Sequence, residues 1–381
     1  MSLRAVRQVT LGLSPGIGDG HLRLDPLVFT RGVVIVGKSG TGKSHDVCLV
    51  TEQLSRLGYS VVLLDRVGEH AEAFAGKQGA RVLTPGKDLF FHVLTAEQSI
   101  EDPGEATEDV LDTISHYFAV SFGERATPLQ QRILRELLLS FLTSNLTPGD
   151  PLSVKGFLAM VRRYEQLRKS VKGFAESCES LVSRLYPLTV GRVGSAFDES
   201  KDGFSAEGLF QPGAHVVDLS PLRYEPAKDL VSQVIVKQLY QAARRTGPSG
   251  DLKQLIAVDE AHHIAPRDMD QQHYHYLSFL DLIAIENRKF GQGVLVATTS
   301  PSQLSEALLR NSSVRVCHLL DDGKDVDLML RFMANRLGSE GYIDDIRTLQ
   351  LGEALVQVSS PITLQPTKVR MRGPEAHHSS S

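Results

Sequence analysis

Gly32-Val-Val-Ile-Val-Gly37-Lys38-Ser39-Gly40-Thr41-Gly42-Lys43-Ser44 is the stretch on which the fold turns, because it fits G-x-x-x-x-G-K-[ST] from Gly37 to Ser44. The β-branched run Val33 to Val36 predicts a buried strand. Val47, Leu49, Val50, Leu54 and Leu57 then recur at helical spacing. Strand, glycine loop and helix in that order make a phosphate-binding loop, and the flanking elements argue against a chance match in a Gly-rich turn. Glycines let backbone N–H groups turn inward on phosphates, and the helix adds the positive end of its dipole. Gly37, Lys38, Ser39, Gly40, Thr41 and Gly42 would then line the phosphates. Lys43 would reach the β- and γ-phosphates, and the Ser44 hydroxyl would ligate Mg²⁺.

The chain has 381 residues, 41% of them hydrophobic, enough to bury a large core in one elaborated domain or in two or three. Its three cysteines, Cys48, Cys178 and Cys317, are far apart and odd in number. They suit a reducing compartment and offer neither a disulfide framework nor zinc spacing. No apolar run reaches membrane-spanning length and no signal-peptide core is present, so the expectation is a cytoplasmic protein without membrane insertion. A net charge of −4 gives no global basic footprint. Nucleic-acid contact would have to come from a local patch or from a surface assembled by several subunits.

Outward from the loop, residues 1–31 hold short alternating segments that read as a hairpin leading into the core. Tyr59 to Leu64 is a second strand ending in Asp65-Arg-Val-Gly68-Glu69-His70, which places functional residues at its carboxyl end, and residues 32–100 form the first part of the core. The period turns helical over 101–200, read as an insertion. Thr127-Pro128-Leu129-Gln130 there predicts a capping box and a helix start. A basic run, Arg162, Arg163, Arg168, Lys169 and Lys172, reads as a solvated helix face, with DNA contact as the alternative. The α/β pattern resumes over 201–374 with a strand at His215 to Leu219, Gln254 to Asp259, a helix through Leu277, Leu280 and Ile283, and a strand from Val294 into Thr298-Thr299. Residues 375–381 read as a frayed tail.

Asp259-Glu260 ends an apolar strand. A carboxylate pair there repels itself unless a cation is near, so in an NTPase Asp259 would complete the Mg²⁺ shell and Glu260 would act as general base on water. The long separation from the loop fits the NTPases that place this Glu on the strand beside the phosphate loop. His262, His263, His273 and His275 match no closed metal site and are read as surface or core residues.

These residues together resemble the HerA branch of the HerA–FtsK family of hexameric DNA-translocating ATPases. The resemblance rests on Gly37 to Ser44, Asp65-x-x-Gly68-Glu69, Val216-Val-Asp-Leu219-Ser220, Asp259-Glu260-Ala261-His262, Arg288-Lys289-Phe290-Gly291, Ala297-Thr298 with Pro301-Ser302, and Leu351-Gly352-Glu353-Ala354-Leu355-Val356. It implies an α/β P-loop NTPase fold of the RecA/ASCE type with a mainly parallel sheet. It also implies ATP and Mg²⁺ as cofactors, double-stranded DNA as partner and a homohexameric ring. By position, Lys43 and Ser44 bind phosphate and Mg²⁺, Asp259 supports the metal, Glu260 is the base and Arg288 is an arginine finger offered to a neighbouring subunit.

Two departures stand out. The family usually carries Gln at Thr299, the sensor position, and Arg at Ser300; Thr has a shorter reach toward a γ-phosphate or water. The thirty residues ahead of the first core strand are also too few for the N-terminal β-barrel that the family associates with docking the NurA nuclease, leaving open which nuclease or other effector pairs with this chain. The same motor would serve genome packaging, DNA transfer or a defence complex. A nucleotide-dependent switch with little turnover is the reading from another class.

Overall fold

The structure is a computed structural model. It describes residues 8–15, 17–96, 100–143, 153–168, 172–267, 277–333, 340–359 and 363–372. Lys169, His273, His275 and 375–381 lie outside the described residues.

Numbered along the chain, the strands are β1 (Val9–Leu13), β2 (His21–Leu24), β3 (Val33–Val36), β4 (Ser60–Asp65), β5 (Ala80–Leu83), β6 (Gly213–Asp218), β7 (Gln254–Val258), β8 (Gln292–Thr298), β9 (Val314–Cys317), β10 (Glu353–Val358) and β11 (Leu364–Met371). They form one sheet in the order β2-β1-β11-β10-β9-β3-β8-β7-β4-β6-β5. Every residue of β3, β4, β7 and β8 is buried. Covered on both faces, these strands read as unbroken apolar runs rather than alternating ones.

One expectation is corrected by the strand order. The strand ending in Asp259-Glu260 does not lie beside the phosphate-loop strand, because β8 pairs in parallel with both β3 and β7 and separates them. Strand order depends on long-range pairing, and nothing in the local apolar pattern of β7 distinguishes the two placements. The hairpin β1–β2 joins the same sheet, with β1 antiparallel to β11, so the lead-in of 1–31 and the last strand are neighbours. The later helix starts at Phe279 with Ser278 as its cap, and Leu277 precedes it.

The parallel registers place the functional ends together. Val36 faces Thr298, Val258 faces Val296 and Leu64 faces Val258, so Gly37, Asp65, Asp259 and Thr299 leave the sheet at one edge. Ligands bind at that carboxyl edge in open α/β sheets.

The chain divides into two units, one of Met1–Val82, Glu207–Val217 and Leu239–Ser381, the other of Leu83–Ala206 and Asp218–Gln238. The first holds the sheet core, in which Val33, Ile35, Val61, Leu63, Leu255, Ala257 and Leu295 pack together. The second contains helices Pro103–Phe122, Pro128–Thr143, Val154–Leu167 and Phe174–Leu185, with Tyr117, Phe118, Leu134, Phe157 and Leu181 buried. The capping box at Thr127 is formed: its N–H donates to Gln130 Oε1 at 2.8 Å, and the Gln130 N–H donates to Thr127 Oγ1 at 3.3 Å. No helix among the described residues is long and apolar enough to cross a membrane.

Candidate nucleotide-binding site

The loop after β3 owes its shape to its glycines. Gly40 and Gly42 have φ of 78° and 119°, values that favour glycine, and a Cβ on Gly37 would stand 2.6 Å from the Cβ of His318. Gly42 is the N-cap of helix Lys43–Arg56 and supplies no side chain, so the first-turn N–H groups face the loop uncapped. Thr41 ties the loop internally, its hydroxyl donating to the Lys38 carbonyl at 2.8 Å. Lys38 and Ser39 are exposed at the rim, and the Lys38 ammonium pairs with Asp321 at 2.5 Å.

Lys43 is buried and its ammonium donates to the Lys38 carbonyl at 3.0 Å, within the loop it would serve. Burial pushes its pKa down, while the charges of Glu260 and Asp259 act to raise it. The Ser44 hydroxyl donates to Asp259 Oδ2 at 2.8 Å. The same oxygen lies 2.9 Å from His70 Nε2, and His70 Nδ1 lies 3.1 Å from the Cys48 sulfur. Burial alone would depress His70, but its bonds to Asp259 and Cys48 outweigh burial and hold its pKa at about 10. Burial would raise Asp259, and the His70 and Ser44 hydrogen bonds hold it below its ordinary value instead.

Glu260 follows with φ 52° and ψ 49°, and its Oε2 accepts from the Thr299 hydroxyl at 3.1 Å and the Thr299 N–H at 3.3 Å. Ser39, Lys43, Ser44, Arg66, Asp259 and Glu260 line one cleft of about 470 Å³. The donors facing it suit a hard cation, since the Ser44 hydroxyl and the Asp259 carboxylate offer oxygen and no cysteine lines the cleft.

Two sequence-predicted residues stand differently. Asp65 spends its carboxylate on structure, accepting from Val67, Gly68 and Ala71 N–H groups at 3.1, 2.8 and 2.8 Å and so capping helix Glu69–Phe74. Arg288 is exposed on the short 3-10 turn Asn287–Phe290 that precedes β8. That is the opposite end of a seven-residue strand from Thr298, roughly 20 Å away at strand rise. Burial and the nearby charge of Arg288 lower the pKa of Arg31.

The sequence reading missed three partners. His70 was legible only as the residue after Glu69, and His262 only as a surface or core histidine, without its partners Glu260 and Thr298. The third, His318, bonds Asp46 at 2.9 Å beneath the loop; both are buried, and 272 positions of sequence separate them. No local pattern announces that pair.

Comparison with known proteins bears on the family and the fold. The family model described as "Helicase HerA, central domain" matches residues 19–156. The DNA double-strand break repair helicase HerA of Sulfurisphaera tokodaii is 23% identical over 89% of the chain; the chain spans 64% of that protein's length, under two thirds. Among solved structures, VirB4 of Thermoanaerobacter pseudethanolicus aligns over 98% of this chain and 99% of its own, with a TM-score of 0.71 and 14% identity. The plasmid coupling protein TrwB in complex with ADP and Mg²⁺ aligns over 97% of this chain and 96% of its own, with a TM-score of 0.63 and 14% identity. These likenesses establish an α/β P-loop NTPase fold. By the family model and the relatives it matches, the chain is similar to the HerA helicases.

Proposed function

We propose that this chain hydrolyses ATP with Mg²⁺ and uses the energy to move along double-stranded DNA as one protomer of a homohexameric ring. The observation that carries the proposal is the Ser44–Asp259 contact at 2.8 Å with Glu260 on the same cleft. The name of the Sulfurisphaera relative, a DNA repair helicase, supports the DNA substrate. The ADP and Mg²⁺ in TrwB support the ligand class.

In this mechanism the loop N–H groups and Lys43 bind the β- and γ-phosphates. Ser44 and Asp259 would hold Mg²⁺, which when bound neutralises phosphate charge. His70, hydrogen-bonded to Asp259, fixes the orientation of that carboxylate. Glu260 accepts the proton of the attacking water at its carboxylate. Arg288 of a neighbouring protomer supplies positive charge to the transition state, a role its position far from its own cleft permits only in trans. A nuclease or other effector is the partner class such a motor would serve.

The test is ATP turnover by the purified chain with and without duplex DNA, with Lys43→Ala as control. Turnover that rises with duplex and vanishes in Lys43→Ala is expected. Turnover indifferent to DNA would return the protein to the class of nucleotide-dependent switches, and wild-type turnover by Lys43→Ala would sink the site.

A further inference from the structure

Glu260 is the one described non-glycine residue with positive φ. A left-handed backbone costs such a residue on the order of 1 kcal/mol, so surrounding contacts must hold it there. Those contacts converge on a single atom. Oε2 receives the Thr299 hydroxyl at 3.1 Å and the Thr299 N–H at 3.3 Å, and it lies 3.3 Å from His262 Nδ1. His262 Nδ1 is also 3.0 Å from the Thr298 hydroxyl, and its ring stacks on His263 with centroids 4.4 Å apart. The end of β8 and the turn after β7 thus grip one oxygen of the carboxylate.

A hydroxyl has one proton to donate. The Thr299 proton is directed at Glu260, so the same group does not donate to a phosphate at the same time. The shorter side chain that stands where the family usually has Gln reaches the base instead.

We infer that Thr299, braced by the Thr298–His262 pair, is a positioning residue for Glu260: it fixes one carboxylate oxygen so that the other is aimed at water, and it is not a sensor of the γ-phosphate. The inference rests on the reading of Glu260 as general base. It links the base to the strand that lies beside the phosphate-loop strand, since Thr298 pairs in register with Val36. A shift at the end of either strand would therefore reach the carboxylate through one side chain.

The experiment measures kcat, KM and nucleotide affinity for Thr299→Val, Thr299→Ser, Glu260→Gln and the double variant Thr299→Val/Glu260→Gln. Valine keeps the shape and loses the hydroxyl; serine restores it. Thr299→Val should lower kcat about tenfold or more, the scale of a misaligned catalytic group, with KM and affinity within about twofold of wild type. Thr299→Ser should recover most of that loss. The double variant should be no slower than Glu260→Gln alone, because Thr299 acts only through the base.

Four outcomes would overturn the inference. A raised KM or weakened affinity in Thr299→Val would place the hydroxyl on the phosphate. An unchanged or raised kcat, or losses that add in the double variant, would remove the positioning role of Thr299. Full activity in Glu260→Gln would instead overturn the base assignment, and the positioning role with it. Should Thr299→Val fail to fold, Thr299→Ala judged against Thr299→Ser carries the same comparison.

Discussion

The Ser44 hydroxyl meets the Asp259 carboxylate at 2.8 Å across 215 positions of sequence. The strands that carry them are not neighbours, because β8 runs between β3 and β7. The contact exists because all three strands are parallel and end at one edge, where the loop and the start of helix Lys43–Arg56 reach over the end of β8. Local motifs mark the hydroxyl and the carboxylate separately, and the parallel strand ends bring them together as one oxygen site.

Glu260→Gln separates binding from chemistry. The amide keeps the shape and can still accept from Thr299, but it cannot take a proton. Retained nucleotide binding with turnover down by about two orders of magnitude or more is expected, measured by equilibrium binding and phosphate release on the same preparation. Loss of binding would show that Glu260 holds nucleotide rather than activating water.

Arg288→Ala tests the ring. The variant should bind nucleotide normally and hydrolyse almost none, since an arginine finger is worth about 10³–10⁵ in rate where one operates. Mixed with Glu260→Gln subunits it should regain part of the activity, because a mixed interface pairs an intact base with a neighbour's intact arginine. Native mass measurement must first establish mixed rings. Given those, a mixture that stays dead would place the action of Arg288 within its own subunit, and wild-type turnover by Arg288→Ala alone would make it an ordinary exposed arginine near a helix end, favourable to the dipole by about 0.3 kcal/mol.

His70 gives a pH signature in stability. Its pKa is raised from 6.5 to about 10 in the fold, so its contact with Asp259 contributes fully below pH 6.5 and is lost as pH rises through about 10. In metal-free buffer the urea midpoint of the protein should exceed that of His70→Gln most near pH 6, with the gap closing toward pH 10. A gap that is constant over that range would mean the imidazole is neutral in the fold.

The basic run in the second unit should prove a solvated face. Arg162 pairs with Glu179 at 2.5 Å and with Glu165 at 3.4 Å, and Arg168 lies 3.9 Å from Glu136 with its guanidinium over the Tyr164 ring. Removing both arginines should leave the salt slope of duplex binding unchanged. A slope that falls by about one per arginine would place them on phosphates.

The phosphate loop, the strands and the pairing of Asp259 with Glu260 were legible from local pattern, because glycine spacing, β-branched runs and adjacent carboxylates act over a few residues. The capping box at Thr127 and Gln130 was legible for the same reason. Tertiary structure decided what those residues touch. It put β8 between β3 and β7 and committed the Asp65 carboxylate to capping helix Glu69–Phe74. It also recruited His70, His262 and His318, whose neighbours in sequence carry no hint of their partners. Such contacts depend on strand order and register, which are set by long-range pairing and by burial of the whole sheet, and no stretch of a dozen residues encodes them.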